Sequence, residues 1–166
     1  MGRHGMVKSR LVNILKLIIS LVACLAAGGI GSIFTTPSIG GWYAGLVKPS
    51  FTPPNWLFGP AWTVLYILMG ISLYLVVIRG WENETVKTGI ILFAAQLVVN
   101  LLWSIIFFGL HSPLGGLACI FVLLALIVAT IITFYRLSKP AAVLLIPYLA
   151  WVCIATALNA GVVLLN

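Results

Sequence analysis

Three apolar stretches of the sequence place amide and aromatic side chains at helical spacing. Gln96, Asn100 and Trp103 follow an i, i+4, i+7 pattern, so they share one face of a helix. In an earlier stretch, Trp62 and Tyr66 repeat the four-residue spacing. Asn and Gln are costly in an apolar environment unless they are hydrogen-bonded, so the amide-bearing face is expected to point into a helix bundle.

The third stretch carries a comparable face near the end of the chain. Its residues follow an i, i+3, i+7, i+10 pattern and are Tyr148, Trp151, Ala155 and Leu158. Asn159 lies at the edge of this face. Three helices with such faces could together line a cavity for a flat, largely apolar ligand that carries a few polar groups.

Helix packing is the alternative explanation for the same residues. Aromatic side chains in membrane proteins often form belts at the membrane surface, and helix-spaced ones usually pack against neighbours. Asn100 and Asn159 could simply hydrogen-bond between helices, which is worth about 0.6–2 kcal/mol each. For any single residue the pattern favours packing over ligand contact. Trp151 is the hardest to assign to a belt, because it lies near the middle of its stretch.

The apolar stretches contain no residue suited to acid–base or metal chemistry. Glu82 and Glu84 are the only acidic residues, which excludes hydrolysis by paired carboxylates and argues against ion-coupled pumping. His4 and His111 fall near opposite membrane faces, so they cannot share a haem or a metal ion. We expect no metal site, and we expect the cysteines to be inert core residues without disulfides. They are Cys24, Cys119 and Cys153.

The composition places the chain in a lipid bilayer. Its 166 residues are 63% hydrophobic and 7% charged, with a mean hydropathy of +1.23. A soluble domain carries about 25% charged residues. The net charge of +7 does not indicate nucleic acid as a partner, because the basic residues separate apolar runs instead of forming a dense patch.

Five apolar runs are long enough to cross a bilayer, which takes about 20 residues each. Proline and glycine at residues 111–116 divide the longest uncharged run into two helices. The sequence therefore predicts an all-α protein with one domain, residues 1–166, built as an integral membrane bundle of five transmembrane helices. The predicted spans are about residues 11–34, 56–78, 88–110, 114–135 and 140–165, with a loop at residues 35–55. Pro147 should kink the fifth span.

The distribution of basic residues predicts the orientation. Eight of the nine Lys and Arg residues fall on the N-terminal side of the predicted helices, and Lys48 alone falls on the other side. The positive-inside rule then predicts a cytoplasmic N-terminus, an external loop at residues 35–55 and an external C-terminus. A cleaved secretory signal is the alternative for the first span, although that apolar run is longer than a typical signal peptide core.

Small residues at positions 27–32 would let another helix approach the first span closely. Ala27 and Gly31, and likewise Gly28 and Ser32, have the four-residue spacing of small-residue helix contacts. This surface could form a homodimer, or it could pack the first span inside its own bundle. The pattern does not separate the two.

Several motifs follow one another in a recognisable order between residues 42 and 159. The predicted loop reads WYAGLVKPSFTPP from Trp42, and the second span contains GPAW ending at Trp62. The third span contributes Gln96, Asn100 and Trp103, and the fifth reads PYLAW followed by ATALN. This series resembles the TspO/MBR family, which comprises the tryptophan-rich sensory proteins and the mitochondrial translocator protein.

The resemblance implies a five-helix membrane bundle, often dimeric, with the first loop covering a pocket. The family binds tetrapyrroles such as protoporphyrin IX and haem, so a tetrapyrrole would be a ligand or substrate and no resident cofactor is implied. The pocket residues carried over by motif are Trp42, Trp62, Asn100, Trp103, Trp151, Ala155 and Leu158. The helical spacing adds Tyr66 and Tyr148.

Three functions are consistent with the resemblance. The first is a membrane receptor or regulator that binds porphyrins, and the second is a light- and oxygen-dependent porphyrin-degrading enzyme. Some bacterial members resemble such catalysts, and the tryptophans matching Trp62 and Trp151 are implicated there. The third is a passive transporter of tetrapyrroles or sterols. The cholesterol-recognition segment of animal members is missing at residues 158–163, and the basic inside loops favour a prokaryotic plasma membrane.

Overall fold

The chain folds as a bundle of long helices in a computed structural model that describes the backbone of residues 3–166 and the side chains of residues 9–166. Five segments of the described chain are long and apolar enough to cross a membrane, which confirms the predicted all-α membrane bundle. The side chains of Arg3, His4 and Lys8, on which the sequence arguments drew, lie outside the described part.

Within residues 3–166, six α-helices and two shorter helical segments make up the bundle. The α-helices are α1 (Arg3–Gly40), α2 (Asn55–Val77), α3 (Glu84–Ser104), α4 (Pro113–Leu137), α5 (Lys139–Leu144) and α6 (Ile146–Leu165). A 3-10 helix (Trp42–Gly45) follows α1, and a π-helical turn (Ile105–Gly109) continues α3. Helices α5 and α6 together form the fifth span.

The helices pack in a ring. Helix α1 contacts α2 on one side and α3 with its π-helical turn on the other. Helix α2 packs on α5 and α6, and α4 lies between α3 and α6 to close the ring. Helices α2 and α3 also contact each other directly, so the side chains on their facing sides meet in the interior.

The first helix is longer than the sequence predicts. Instead of ending near residue 34, α1 continues through Pro37 to Gly40. Residues 35–40 of the predicted loop at residues 35–55 are therefore helical. A proline inside a helix removes one hydrogen bond and normally favours a break. Here Ser38 is buried and donates a hydrogen bond to the carbonyl oxygen of Phe108 at 2.7 Å. This contact with the π-helical turn holds the last turn of α1 in place.

The fifth span is interrupted where Pro147 predicts a kink. Helix α5 ends at Leu144 and α6 begins at Ile146, with Leu145 between them in a turn. The N–H of Leu145 donates to the Ala142 carbonyl at 3.1 Å, so the break leaves this backbone group satisfied. Such repair is what allows a proline-induced break inside a membrane.

The three cysteines do not all lie in the core. Cys24 is buried and Cys119 is half-buried, but Cys153 is exposed on the outer surface of α6. The prediction that all three are core residues is therefore wrong for Cys153. A small apolar side chain is equally well accommodated against lipid, and the composition does not distinguish the two surroundings.

The small residues of α1 pack partly inside the bundle. A Cβ atom added at Gly28 would lie 2.5 Å from the Tyr66 ring, and one added at Gly31 would lie 3.4 Å from Ser104 Oγ. Gly29 and Ser32 instead lie at the outer surface of α1, where both are exposed. Gly28 and Gly31 are thus occupied by contacts within the monomer. A homodimer stays a prediction, and its surface would have to use the outward-facing residues.

We predict opposite effects of alanine at the neighbouring positions Gly28 and Gly29. Gly28→Ala should destabilise the protein by about 1–3 kcal/mol, because the new methyl group overlaps the Tyr66 ring. Gly29→Ala meets no atom within 4 Å and should stabilise the helix by up to about 1 kcal/mol. Thermal denaturation in detergent measures both changes. Equal shifts in one direction would contradict the packing of α1 against Tyr66.

Candidate functional site

A cavity of about 350 Å³ lies between α1, α2 and α3, in the half of the bundle next to the 41–54 connection. Its aromatic wall comes from α2, α3 and the π-helical turn, and its opposite wall is the small-residue face of α1. The aromatic residues are Phe58, Trp62, Tyr66, Trp103 and Phe108. The α1 wall includes Gly28, Gly31, Ser32, Thr35 and Ile39.

The lining is neutral. Among the described residues, no Lys, Arg, Asp, Glu or His contributes to this cavity. Its hydroxyl groups are largely committed to their own helices. Ser32 donates to Gly29 at 2.7 Å, Thr35 to Gly31 at 3.1 Å and Thr63 to Gly59 at 2.9 Å. The cavity therefore suits an uncharged, mostly aromatic or apolar group.

The cavity opens through the side of the bundle. Leu25, Gly29 and Ser32 of α1 line the cavity and are also exposed on the outer surface. Gly59 and Thr63 of α2 also line the cavity and are exposed, on the opposite side of the opening. The opening thus lies between α1 and α2, on a surface that faces lipid in a membrane-embedded bundle.

The amides of α3 belong to a buried hydrogen-bond chain that starts at the cavity wall. The Tyr66 hydroxyl donates to Asn100 Oδ1 at 2.6 Å, and Asn100 Nδ2 lies 3.3 Å from the Tyr148 hydroxyl. The Tyr148 hydroxyl donates to Gln96 Oε1 at 2.8 Å. Gln96 Nε2 is the only buried side-chain nitrogen or oxygen without a partner among the described residues. Asn100 therefore hydrogen-bonds between helices, as the packing alternative predicts. Both polar atoms of its side chain take part in these bonds, and it does not line the cavity.

Asn159 has a similar role at the other end of α3. Trp103 Nε1 donates to Asn159 Oδ1 at 3.3 Å, and Asn159 Nδ2 donates to the Pro113 carbonyl at 2.7 Å. These bonds fix the Trp103 indole against α6 and the start of α4. Trp103 is also stacked on Phe107, with ring centroids 5.6 Å apart.

A second, smaller cavity of about 30 Å³ lies on the far side of Trp103. Ala155, Leu158 and Val162 of α6 line it, and Tyr43 closes it from the connection after α1. The two cavities share three lining residues, which are Phe58, Trp103 and Phe108. These rings separate the two spaces.

The connection after α1 covers the loop end of the bundle. Trp42 stacks on His111 with ring centroids 4.6 Å apart, and Tyr43 packs 5.6 Å from Phe108. Burial raises the pKa of the Tyr43 phenol, so this side chain stays neutral. Lys48 Nζ donates to three backbone carbonyl oxygens, at 2.8 Å, 3.2 Å and 3.0 Å, which fixes the turn that contains Tyr43.

The structure divides the predicted site residues into four groups. Trp62 and Tyr66 line the larger cavity, Ala155 and Leu158 line the smaller one, and Trp103 lines both. The remaining predicted residues line neither cavity and are Trp42, Asn100, Tyr148 and Trp151. Trp151 is separated from the cavities by Phe58, whose ring lies 6.1 Å from its own.

Sequence reasoning missed the α1 wall and the ring of Phe58. The spacing of the small residues of α1 predicts only a helix-packing surface, although a face without bulky side chains also leaves room for a cavity. Phe58 precedes the GPAW motif and lies four residues before Trp62, so helical spacing could have placed both on one face. Phe108 lies in the π-helical turn, where α-helical spacing does not predict which way a side chain faces, because a π-turn shifts the side-chain register.

Comparison with known proteins adds independent support to the motif series. The TspO/MBR family profile matches residues 20–165. "Tryptophan-rich protein TspO" of Archaeoglobus fulgidus is 53% identical over 156 residues, which cover 93% of this chain and 99% of that protein. The protein of the same name from Chlorobaculum tepidum is 49% identical, with 93% and 98% covered.

An animal protein matches over a shorter region. "Translocator protein" of Homo sapiens is 42% identical over 121 residues, which cover 71% of this chain and 70% of that protein. Because the family profile covers four of the five apolar helices and most of the first, and the two prokaryotic relatives align along almost their whole length, the chain belongs to the TspO/MBR family.

Proposed function

We propose that this protein is a membrane receptor or regulator that binds a porphyrin, or a similar flat apolar molecule, against the aromatic wall of the α1–α2–α3 cavity. The observation that carries the proposal is the cavity itself: a neutral space whose wall holds Trp62, Tyr66 and Trp103. Aromatic faces stack on flat π-systems, and burial of apolar surface supplies most of the affinity. Relatives named tryptophan-rich and translocator proteins support the same role.

The cavity constrains how a tetrapyrrole would lie. Its volume of about 350 Å³ is near the lower end of the range for small-molecule sites, about 300–1,000 Å³. A macrocycle would therefore enter edge first and leave part of its rim outside. Carboxylate groups of the ligand would remain in the exposed part, since no cationic side chain lines the cavity and burial of an unpaired charge is costly.

Light-dependent porphyrin degradation is the second candidate. Trp62 lies in the cavity wall and stacks on Tyr66 with ring centroids 5.5 Å apart. An electron-rich indole in contact with a bound, photo-excited porphyrin could donate an electron without any acid or base. Trp151, the other tryptophan implicated by resemblance, contacts Phe58 and does not line the cavity, which favours the receptor role.

We also propose the orientation that the basic residues predict. The 41–54 connection and the cavity would then lie in the external half of the membrane, with the N-terminus in the cytoplasm. A prokaryotic plasma membrane fits the two relatives from Archaeoglobus and Chlorobaculum.

Replacement of Trp62 tests the binding site. Trp62→Phe keeps an aromatic plane but shrinks the stacking surface, so protoporphyrin IX binding should weaken about two- to tenfold, in line with about 0.5–1.5 kcal/mol per aromatic pair. A fluorescence titration in detergent or lipid discs measures the affinity. Trp81→Phe is the matched control, because Trp81 is exposed in the turn between α2 and α3. Equal losses in the two variants would place the ligand elsewhere.

Illumination separates the receptor from the enzyme. For a receptor, the absorption spectrum of bound protoporphyrin IX should decay under light no faster than that of the same porphyrin in protein-free detergent. Degradation that requires protein, light and oxygen together, and that Trp62→Phe abolishes while binding persists, would establish the enzyme instead.

Cysteine labelling tests the orientation. Ser50→Cys in the 41–54 connection and Glu82→Cys in the α2–α3 turn both create exposed thiols, in a background whose three native cysteines are replaced by alanine. An impermeant maleimide added to intact cells should label position 50 only. Labelling of position 82 alone would invert the topology.

A further inference from the structure

We infer that Phe58 is the movable part of an aromatic partition that divides the binding space, and that its position determines how large a ligand the site accepts. The inference rests on the proposed function, because it concerns the same cavity. The partition consists of Phe58, Trp103 and Phe108, the three residues that line both cavities.

Two members of the partition are held firmly. Trp103 is 7% exposed, donates to Asn159 and stacks on Phe107. Phe108 is 5% exposed and packs edge-on against Phe107, with centroids 4.8 Å apart. Its backbone carbonyl accepts the hydrogen bond from Ser38. Movement of either ring would break several contacts at once.

Phe58 has few such restraints. It lies in the first turn of α2, it is only half-buried, and its one close ring neighbour is Trp151, at 6.1 Å and 74°. The next residue, Gly59, has no atom within 4 Å of the place a side chain would occupy. A rotation of the Phe58 side chain therefore disturbs little of the surrounding packing.

The consequence of that rotation is a single, longer site. The larger cavity would join the space lined by Ala155 and Leu158, because Phe58 is the unrestrained part of the wall between them. Trp151, which packs behind Phe58, would then face the joined space. Most of the pocket residues that the motifs group together would then line one surface, and they are Trp62, Trp103, Trp151, Ala155 and Leu158. A small ligand fits in the larger cavity, whereas a macrocycle that leaves part of its rim outside the larger cavity would be enclosed more fully by the joined site.

A buried thiol reporter tests the partition without any porphyrin. Leu158 lines the smaller cavity and is 7% exposed, so a thiol introduced by Leu158→Cys is reached through the cavities. The measurement uses a background without the native cysteines and a bulky, membrane-soluble maleimide. Phe58→Ala should raise the reaction rate of the Cys thiol introduced at position 158 about tenfold. This factor is expected if the partition of the parent protein is open about a tenth of the time. Phe58→Trp should lower the rate.

Trp56→Ala is the matched control. Trp56 lies in the same turn of α2 but is 72% exposed and lines neither cavity, so the reaction rate should not change. The opposite signs expected for Phe58→Ala and Phe58→Trp distinguish the partition from loosening of the fold, which would raise the rate in both variants. An unchanged rate in Phe58→Ala, or a rise in both Phe58 variants, would overturn the inference.

Ligand affinity provides the second measurement. If the partition of the parent protein is open about a tenth of the time, Phe58→Ala should tighten protoporphyrin IX binding about tenfold. A probe the size of a single indole ring should gain no affinity, because it fits in the larger cavity and loses one aromatic wall residue in this variant. Ala155→Leu, which fills the smaller cavity, should weaken porphyrin binding and leave the small probe unaffected. An unchanged porphyrin affinity in both Phe58→Ala and Ala155→Leu would overturn the inference. A faster thiol reaction without porphyrin binding in any variant would uphold the partition and overturn the proposed function.

Discussion

The hydrogen bond from the Tyr66 hydroxyl to Asn100, at 2.6 Å, is the interaction on which the interior of the bundle depends. In a bilayer no water is available to satisfy a buried amide, so Asn100 needs partners from other helices. Tyr66 supplies one from α2 and Tyr148 another from α6. Three helices are thereby fixed in register at the level where the cavity ends. The same bond sets the Tyr66 ring against Gly28, which fixes how closely α1 approaches.

Satisfaction of the polar groups also explains the chemical character of the cavity. The strong donors and acceptors of the interior, including Asn100 and Asn159, are used between helices, and the Ser32 and Thr35 hydroxyls of the α1 wall bond to their own backbone. What remains for a ligand is mainly aromatic surface and the open space left by small residues. Recognition by such a surface depends on shape and stacking more than on directed hydrogen bonds.

The sequence predicted the membrane bundle well because lipid imposes a single strong rule, that about 20 apolar residues make a span. Helical spacing also identified the inward faces of α2, α3 and α6, and Trp62, Trp103 and Leu158 lie on cavity walls. Prediction from the sequence failed where contacts between helices override the local preferences of the residues. Pro37 predicts a helix end, but α1 continues to Gly40, and the hydrogen bond from Ser38 to Phe108 stabilises this last turn. The π-helical turn, which turns Phe108 towards both cavities, has no marker in the sequence.

The hydrogen-bond chain and the aromatic partition act on the same space in different ways. The hydrogen-bond chain is rigid, because every side chain from Tyr66 to Gln96 in it is buried. Within it only Gln96 Nε2 lacks a hydrogen-bond partner. Any adaptation to a ligand must therefore occur nearer the loop end, above Tyr66, where the contacts are apolar and can be exchanged at little cost. Phe58 occupies that level, beside an unpacked glycine and in front of Trp151. A rigid polar floor and a movable aromatic wall allow the site to accept ligands of different size without unpairing any polar group in the membrane.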